Sequence, residues 1–212
     1  MRRTILIALS VALAGPAVAQ SYDQTWTSCL RKPDLETVAK DCSVVIESGR
    51  ATATERAIAL NNRAMASTAP EAVVRDLDEA IRLAPTIAKL YVNRGHSRSD
   101  TPALALEDFA AAIRLDPNYA VAYNARADYY ASLGRHDEAI RDFDRAIKLA
   151  PRYMHPMYNP YEFRARSKEA KGDMKGAAAD RAAYMGIMSP ASEDDPNPNV
   201  RGPRSWDFFA TK

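Results

Sequence analysis

Histidine, methionine and cysteine are the first side chains to consider for catalysis or soft-metal binding in this sequence. The three histidines lie far apart, at His96, His136 and His155. No Ser-His-Asp arrangement, glycine-rich phosphate loop or zinc-ligand spacing accompanies them. Met154 and Met157 flank His155 and form with it a soft-ligand set that suits Cu(I), although methionines beside a helix more often pack against it. We therefore expect no catalytic residue, no cofactor and no metal site, with copper at this cluster as the open alternative.

Cys29 and Cys42 are the two cysteines of the chain. In an oxidising compartment, two nearby cysteines most simply form a disulfide. Closing a loop of this size stabilises a protein by roughly 3 kcal/mol in the chain-entropy model. A redox pair is the weaker interpretation because the spacing is not C-x-x-C, and metal binding is weaker still because no histidine lies nearby. The sequence therefore predicts a structural Cys29–Cys42 disulfide.

The first nineteen residues have the pattern of a secretory signal peptide. Arg2 and Arg3 are followed by an apolar run over 4–14, which is too short to cross a bilayer comfortably. Small residues then precede an expected cleavage site after Ala19. We expect export by the general secretory route to a periplasmic or secreted location, with a Gram-negative bacterium as the source. An uncleaved membrane anchor is the alternative.

Removal of this segment leaves a chain without net charge. Loss of Arg2 and Arg3 lowers the number of lysines and arginines from 29 to 27, which equals the 27 aspartates and glutamates. The basic footprint of a nucleic-acid-binding protein is therefore absent from the sequence. No later segment is long and apolar enough to span a bilayer. We expect neither nucleic-acid binding nor membrane insertion after signal cleavage.

Three segments of the chain end alike, which indicates an internal repeat. They read EAIRLAP, AAIRLDP and RAIKLAP and end at Pro85, Pro117 and Pro151, the last two of which are 34 residues apart. Apolar residues at i, i+3 and i+4 predict helices throughout. In the most regular unit, small residues allow two helices to approach closely, and large residues fill the gaps between hairpins. The small residues are Ala127, Ala139 and Ala146, the large ones are Tyr123, Tyr130 and Phe143, and Gly134 marks the turn.

In these residues and in its period, the unit closely resembles the tetratricopeptide-repeat (TPR) family. The resemblance implies an all-α fold, a TPR-type α-solenoid of antiparallel helix hairpins that curves into a right-handed superhelix. Three further units match less well, at 57–85, 88–117 and 158–190. In the last of them Arg181 and Tyr184 replace the expected Phe and Ala, as suits a C-terminal cap that nothing covers.

We therefore expect the chain to have four parts. They are a signal peptide at 1–19, an N-terminal helical cap at 20–53 that contains Cys29–Cys42, about four TPR repeats at 54–190 and a Pro-rich tail at 191–212. The polar first part of the tail should be disordered. Its final aromatic group is Trp206, Phe208 and Phe209. Three alternatives stay open: these side chains fold back onto the groove or the last hairpin, they dock on a partner, or they do neither.

Each repeat also carries one arginine before the small residue of its first helix and one aspartate before the large residue of its second. The arginines are Arg63, Arg94, Arg126 and Arg164, and the aspartates are Asp76, Asp108, Asp142 and Asp180, with Asp41 at the same place in the cap. Stacked hairpins allow a ladder of bidentate Arg–Asp pairs. A basic track for an anionic ligand is the alternative, but a matching aspartate in every repeat favours a structural ladder.

The family resemblance also implies a partner site on the concave face, which the first helix of each hairpin lines. By position its members are Asn61, Asn62, Met65, Lys89, Asn93, His96, Asn124, Asp128, Glu162 and Arg166, with Val92, Val121 and Phe163 beside them. Asparagine amides can hold a peptide backbone, although asparagine is also simply common in this repeat type. Lys89 and Arg166 are too few to form the carboxylate-binding cluster of co-chaperone members.

The sequence thus predicts a non-catalytic protein–protein interaction module or adaptor of the bacterial cell envelope. We expect it to bind a peptide or protein partner on its concave face without much ordering of its own chain. Two alternatives stay open. One is a self-assembling structural scaffold, which would be a homo-oligomer. The other is an accessory subunit of a periplasmic enzyme or of a metal-handling system, because repeat proteins share one fold across unrelated roles.

Overall fold

The computed structural model describes residues 15–31, 34–150 and 159–188. Within these ranges the chain forms ten α-helices and no strand, which confirms the predicted all-α fold. The helices are α1 (Gly15–Arg31), α2 (Leu35–Glu47), α3 (Ala53–Ala66), α4 (Pro70–Leu83), α5 (Ala88–Ser97), α6 (Pro102–Leu115), α7 (Ala120–Ser132), α8 (His136–Leu149), α9 (Pro160–Ala170) and α10 (Met174–Met188). None of these described helices combines the length and apolarity that a bilayer span needs.

Local signals set the helix boundaries. At the start of α3 the Thr52 hydroxyl accepts a hydrogen bond from the Glu55 backbone N–H at 3.2 Å, and the Glu55 carboxylate accepts one from the Thr52 backbone N–H at 2.8 Å. This reciprocal capping satisfies two of the donors that a helix start leaves open. Pro70, Pro102 and Pro160 begin α4, α6 and α9, at the position where the missing N–H of proline is not needed.

The helices pair into five antiparallel hairpins that stack along the chain. Each even-numbered helix packs against its own hairpin partner, and α2, α4, α6 and α8 also pack against the first helix of the next hairpin. The odd-numbered helices form an inner layer, in which α1 contacts α3, α5 contacts α7 and α7 contacts α9. This arrangement is the predicted α-solenoid, and it places the odd-numbered helices on one side of the stack.

Small residues let the paired helices approach each other, as the repeat pattern predicts. Ala127 of α7 and Ala139 of α8 are fully buried, and Phe143 packs between them. Phe109 and Phe143 are the largest fully buried side chains of the described chain. Burial of one such side chain stabilises the fold by about 1.5–3 kcal/mol relative to an exposed one. The apolar core is therefore a row of small clusters between hairpins.

The first hairpin is closed by the predicted disulfide. Cys29 of α1 and Cys42 of α2 are bonded, with their Cα atoms 4.9 Å apart, and both are fully buried. Trp26 packs against the same cluster. Helix α1 begins at Gly15, before the predicted cleavage site, so cleavage after Ala19 would shorten this helix and keep Trp26 and Cys29. The signal peptide and its cleavage remain predictions.

Two groups of residues from the sequence interpretation lie outside the described ranges. The methionine and histidine cluster falls in 151–158, between α8 and α9, and the aromatic end of the tail falls in 189–212, after α10. The division at 20–53, 54–190 and 191–212 stays a prediction.

Candidate partner-binding face

All four predicted Arg–Asp pairs form, each between the two helices of one hairpin. The shortest N–O distances are 2.7 Å for Arg63–Asp76, 2.6 Å for Arg94–Asp108, 2.6 Å for Arg126–Asp142 and 2.5 Å for Arg164–Asp180. In each pair two nitrogens of the guanidinium donate to the carboxylate. This is the strong bidentate geometry. The arginines thus hold hairpins together, as a structural ladder requires.

The ladder also joins neighbouring hairpins. Arg94 donates to Asp78 at 2.7 Å, Arg164 donates to Asp144 at 2.5 Å, and Arg63 donates to the Ser43 hydroxyl at 3.2 Å. In each case the acceptor belongs to the second helix of the preceding hairpin. At the corresponding position before Arg126 the chain has Ala110, which offers no acceptor side chain. The four arginines therefore differ in how many partners they hold.

Two of the asparagines expected on the concave face are buried instead. Asn61 and Asn62 are each 3% exposed. Asn62 donates to the Cys29 carbonyl at 3.2 Å, Asn61 donates to the Asn62 side-chain oxygen at 3.1 Å, and Asn93 donates to the Asn61 side-chain oxygen at 2.7 Å. The amides therefore connect α1, α3 and α5 to each other. Asn61 and Asn62 are therefore enclosed in this conformation, with their hydrogen-bonding groups used inside the stack, and a partner contact at these two residues stays a prediction.

Asn124 and Val92 are also buried, because of their position on the helix. They lie at the same turn of α7 and α5 respectively, and both are 2% exposed. This helix position faces the adjoining inner-layer helix and not open solvent. Asn124 is therefore buried in this conformation, and a partner contact at this residue too stays a prediction.

Seven of the ten expected residues retain accessible surface on the inner-layer helices. Met65, Lys89, Asn93, His96, Asp128 and Glu162 are half-buried, and Arg166 is exposed. Val121 and Phe163 are half-buried next to them. Arg166 donates to Glu162 at 3.0 Å, within α9. We call these seven residues the inner face.

Burial changes the titration of three inner-face groups. It lowers the pKa of the Lys89 ammonium to about 8, and it lowers the pKa of His96 below its ordinary value. It raises the pKa of Asp128, against the opposing effect of the Arg166 charge. Burial always disfavours the charged form. The inner face therefore carries polar groups that have already lost part of their hydration.

An aromatic cluster that the sequence interpretation missed lies beneath this face. The rings of His96 and Phe109 meet edge to face with centroids 5.3 Å apart, and Phe109 meets Tyr129 at 5.1 Å. The Tyr129 hydroxyl donates to the Gly95 carbonyl at 3.4 Å. The doublet Tyr129-Tyr130 is a usable signal, because the repeat pattern requires one aromatic residue there and the chain has two. The cluster joins α5, α6 and α7 and fixes His96 on the inner face.

Metal-binding geometry is not found on this face. Across the parts of the chain that the structure describes, no three His, Cys, Asp or Glu side chains are grouped to hold an ion. Arg181, which replaces the expected Phe of the last hairpin, instead donates to Glu162 at 3.1 Å and to Glu169 at 2.5 Å. Arg181 is thus paired with carboxylates of its own hairpin.

Comparison with known proteins agrees with this architecture. A family model described as tetratricopeptide repeat matches residues 120–153. The fold is similar to a crystal structure of MamA protein, with a TM-score of 0.62 and 20% identity over 81% of this chain and 92% of that one. It is also similar to MamA 41-end from Desulfovibrio magneticus RS-1, with a TM-score of 0.64 and 18% identity over 79% and 93%. A comparison with curated proteins finds no match. At these identities the likeness establishes the fold alone.

Proposed function

We propose that this chain, which matches a tetratricopeptide repeat at residues 120–153 and has an α-solenoid fold, is a non-catalytic protein-interaction module of the bacterial cell envelope. It acts as an adaptor that holds an extended or helical segment of a protein partner along α5, α7 and α9. The observation that carries this proposal is the inner face, where Lys89, His96 and Asp128 are polar, partly dehydrated and fixed on rigid helices.

A peptide backbone or a charged side chain suits these groups chemically. Asp128 already lacks part of its hydration, so a donor from a partner restores hydrogen bonding without a further large desolvation cost. Lys89 and His96 add an amine and an imidazole to the same face, and both groups form hydrogen bonds with peptide and carboxylate groups. Because helices hold these groups in place, little conformational entropy is lost on binding. The inner face carries charges of both signs, at Lys89, Asp128, Glu162 and Arg166. These charges favour a partner segment that also carries both signs over a purely anionic ligand.

The proposed envelope location rests on two observations. The first is the predicted signal peptide at 1–19, and the second is the buried Cys29–Cys42 bond. Disulfides persist in oxidising compartments such as the periplasm. Fractionation of cells that produce the full chain tests this part separately, since a reduced, uncleaved protein in the cytoplasm would contradict it.

Site-directed photocrosslinking in cells tests the binding face. A photoreactive residue replaces Asp128 on the inner face, and in a matched protein it replaces Glu107, which is exposed on α6. We expect discrete partner adducts from position 128 and none from position 107. Equal adducts from both positions would show that the inner face has no special role.

Affinity measurements with the crosslinked partner segment then give the size of the effect. We expect Asp128→Asn to weaken binding at least about tenfold, because a hydrogen bond to a charged group contributes about 1.5–3 kcal/mol and about 1.4 kcal/mol is a factor of ten in affinity. Glu107→Gln should leave the affinity unchanged. Light scattering of the purified protein at several concentrations distinguishes this adaptor from the scaffold alternative, because a scaffold grows with concentration without any partner.

A further inference from the structure

A chain of three asparagine side chains runs from the cap hairpin to the inner face. It begins where Asn62 of α3 donates to the Cys29 carbonyl of α1 at 3.2 Å. Asn61 then donates to the Asn62 side-chain oxygen at 3.1 Å, and Asn93 of α5 donates to the Asn61 side-chain oxygen at 2.7 Å. Asn61 and Asn62 are buried, whereas Asn93 is half-buried. The chain therefore starts inside the stack, where each amide depends on its neighbour for hydrogen bonds, and it ends on a residue that a partner can reach.

The Cys29 carbonyl fixes the direction of every hydrogen bond in this chain. Cys29 lies in the last turn of α1, where a helix leaves carbonyl groups without an intrahelical donor. Pro33, four residues later, has no N–H to offer. A carbonyl group only accepts, so Asn62 must present its nitrogen to Cys29, and its oxygen is left to accept from the next amide. Asn61 must then present its nitrogen to Asn62, and Asn93 must present its nitrogen to Asn61.

The last amide of the chain is therefore left with its oxygen as the unused group. Among the residues that the structure describes, none donates to the Asn93 side-chain oxygen. Asn93 lies one residue before Arg94, and the equivalent residue on α7 is Ala125, so the next inner-layer helix has no amide at this position to continue the chain. Hydrogen bonds in a chain polarise one another. The Asn93 oxygen is thus a stronger acceptor than that of an isolated asparagine.

We propose that the Asn93 side-chain oxygen accepts a hydrogen bond from a backbone N–H of the partner segment, and that Asn61 and Asn62 are positioning residues that hold it in this orientation. This inference rests on the proposed function, because it describes one contact of the same inner face. A free asparagine can turn its amide to offer either nitrogen or oxygen, whereas Asn93 can do so only by breaking the chain. The inner face therefore selects a neutral donor at Asn93 and disfavours a backbone carbonyl there, while a cationic side chain suits the Asp128 carboxylate.

A double-mutant cycle with ester-substituted peptides tests the acceptor role of Asn93. The probe is a synthetic peptide of the partner segment that crosslinks to position 128, and in each derivative one backbone amide is replaced by an ester, which removes one N–H. Calorimetry measures binding to the full chain. We expect one ester position to weaken binding about fivefold, as loss of a neutral hydrogen bond does, and this penalty to vanish in Asn93→Leu. The matched control Asn118→Leu changes an exposed asparagine between α6 and α7 and should keep the penalty.

The positioning role of Asn61 and Asn62 has a separate measurement. Asn62→Ala removes the link to Cys29 and lets Asn93 turn, so the penalty at the same ester position should fall below about twofold, while the penalties at the other ester positions stay as they were. Carbon-13 NMR of the full chain labelled at the asparagine side-chain carbonyl needs no variant. Binding of the unmodified probe should shift the Asn93 resonance, and the ester derivative should not shift it; the Asn118 resonance should respond to neither.

Three results would overturn this proposal. If the probe binds but no ester position is coupled to Asn93, the partner donates no N–H there, and the adaptor function stands without this contact. If the ester penalty keeps its full size in folded Asn62→Ala, or if the Asn93 carbonyl resonance does not move on binding, the asparagine chain only stabilises the stack. If no partner adduct forms from position 128, the proposed function itself fails and this contact fails with it.

Discussion

The Arg126–Asp142 pair offers the sharpest test of the ladder, because Arg126 has no second carboxylate from the preceding hairpin. We predict that Asp142→Asn lowers the free energy of unfolding by about 2–3 kcal/mol, since it removes the charge that balances a largely buried guanidinium. The two hydrogen bonds measure 2.6 and 2.9 Å, and the side chains of Arg126 and Asp142 are only 21% and 12% exposed. Full burial would place the loss at about 3–5 kcal/mol, and the remaining exposure reduces it.

The neighbouring pair serves as the internal comparison. Asp108→Asn removes a carboxylate that Arg94 and Arg98 share. Both arginines keep Asp78, at 2.7 Å from Arg94 and 3.7 Å from Arg98. For each arginine that loses its partner, we therefore expect a smaller loss in the free energy of unfolding in Asp108→Asn than in Asp142→Asn. Urea unfolding with a common slope measures both variants. A second comparison is the double variant Arg126→Leu/Asp142→Leu, which should regain most of the stability that either single change loses, because an apolar pair needs no compensating charge.

Two results would refute this reasoning. If Asp142→Asn left the unfolding midpoint unchanged, the pair would have no structural role. If the losses of the single Arg126→Leu and Asp142→Leu variants simply added in the double variant, the two side chains would not be coupled. A rise in affinity for inorganic phosphate in Asp142→Asn, without loss of stability, would instead support the basic-track interpretation.

Three further predictions concern the cap, a close helix contact and a buried ammonium. Reduction of Cys29–Cys42 should lower the free energy of unfolding by about 3 kcal/mol and should open α1 and α2 first in hydrogen exchange; equal stability with and without reductant contradicts this. Gly95→Ala should destabilise by about 1–3 kcal/mol, because its Cβ would lie 2.5 Å from the Phe109 ring. The control Gly186→Ala in α10 should be neutral or stabilising by thermal unfolding, because its Cβ would meet nothing within 4 Å beyond its chain neighbours and the backbone of its own helix. Lys89→Met should stabilise the protein at pH 7, because burial lowers the pKa of Lys89 to about 8 from an ordinary value of about 10.4. Between these two pKa values, Lys89 is already neutral in the folded chain and still charged in the unfolded chain. The free energy of unfolding of the unmodified protein therefore rises with pH relative to that of Lys89→Met, by up to about 3 kcal/mol. A difference that is constant from pH 7 to pH 10 would exclude a buried ammonium.

Features that depend on residues at fixed spacing could be predicted from the sequence. The hairpins follow from the apolar period, Cys29–Cys42 follows from the presence of only two cysteines, and the Arg–Asp pairs follow from their recurrence at one place in each repeat. In all three cases the partner lies within the same hairpin, so local pattern and contact coincide.

Features that depend on the neighbouring hairpin could not be predicted in the same way. Asn61 and Asn62 occupy positions that face a ligand in the general repeat pattern, yet here they bond to each other, to Asn93 and to the Cys29 carbonyl. Those partners lie on α1 and α5, and their approach depends on how closely three hairpins stack. Repeat position gives the direction of a side chain, and only the stacking decides whether a partner or another helix meets it.

The last prediction concerns Ala110, the position where the ladder has no acceptor for the arginine of the next hairpin. It tests whether repeat position alone is enough to place a side chain, or whether the stacking distance must be known as well. Ala110→Asp places a carboxylate where Asp78 and Asp144, about half exposed, reach the arginine of the next hairpin. An exposed ion pair stabilises by about 0.2–1 kcal/mol, while aspartate is less favourable than alanine inside a helix by roughly 0.7 kcal/mol. The net stability should hardly change, so the informative quantity is the coupling between position 110 and Arg126. We expect Ala110→Asp to be about 0.5 kcal/mol more favourable with Arg126 present than in an Arg126→Leu background, and salt should reduce this difference because the pair is exposed. A coupling of zero would mean that the hairpins around α6 and α7 stack at a different distance from the others, and the repeat register would then not suffice to place their side chains.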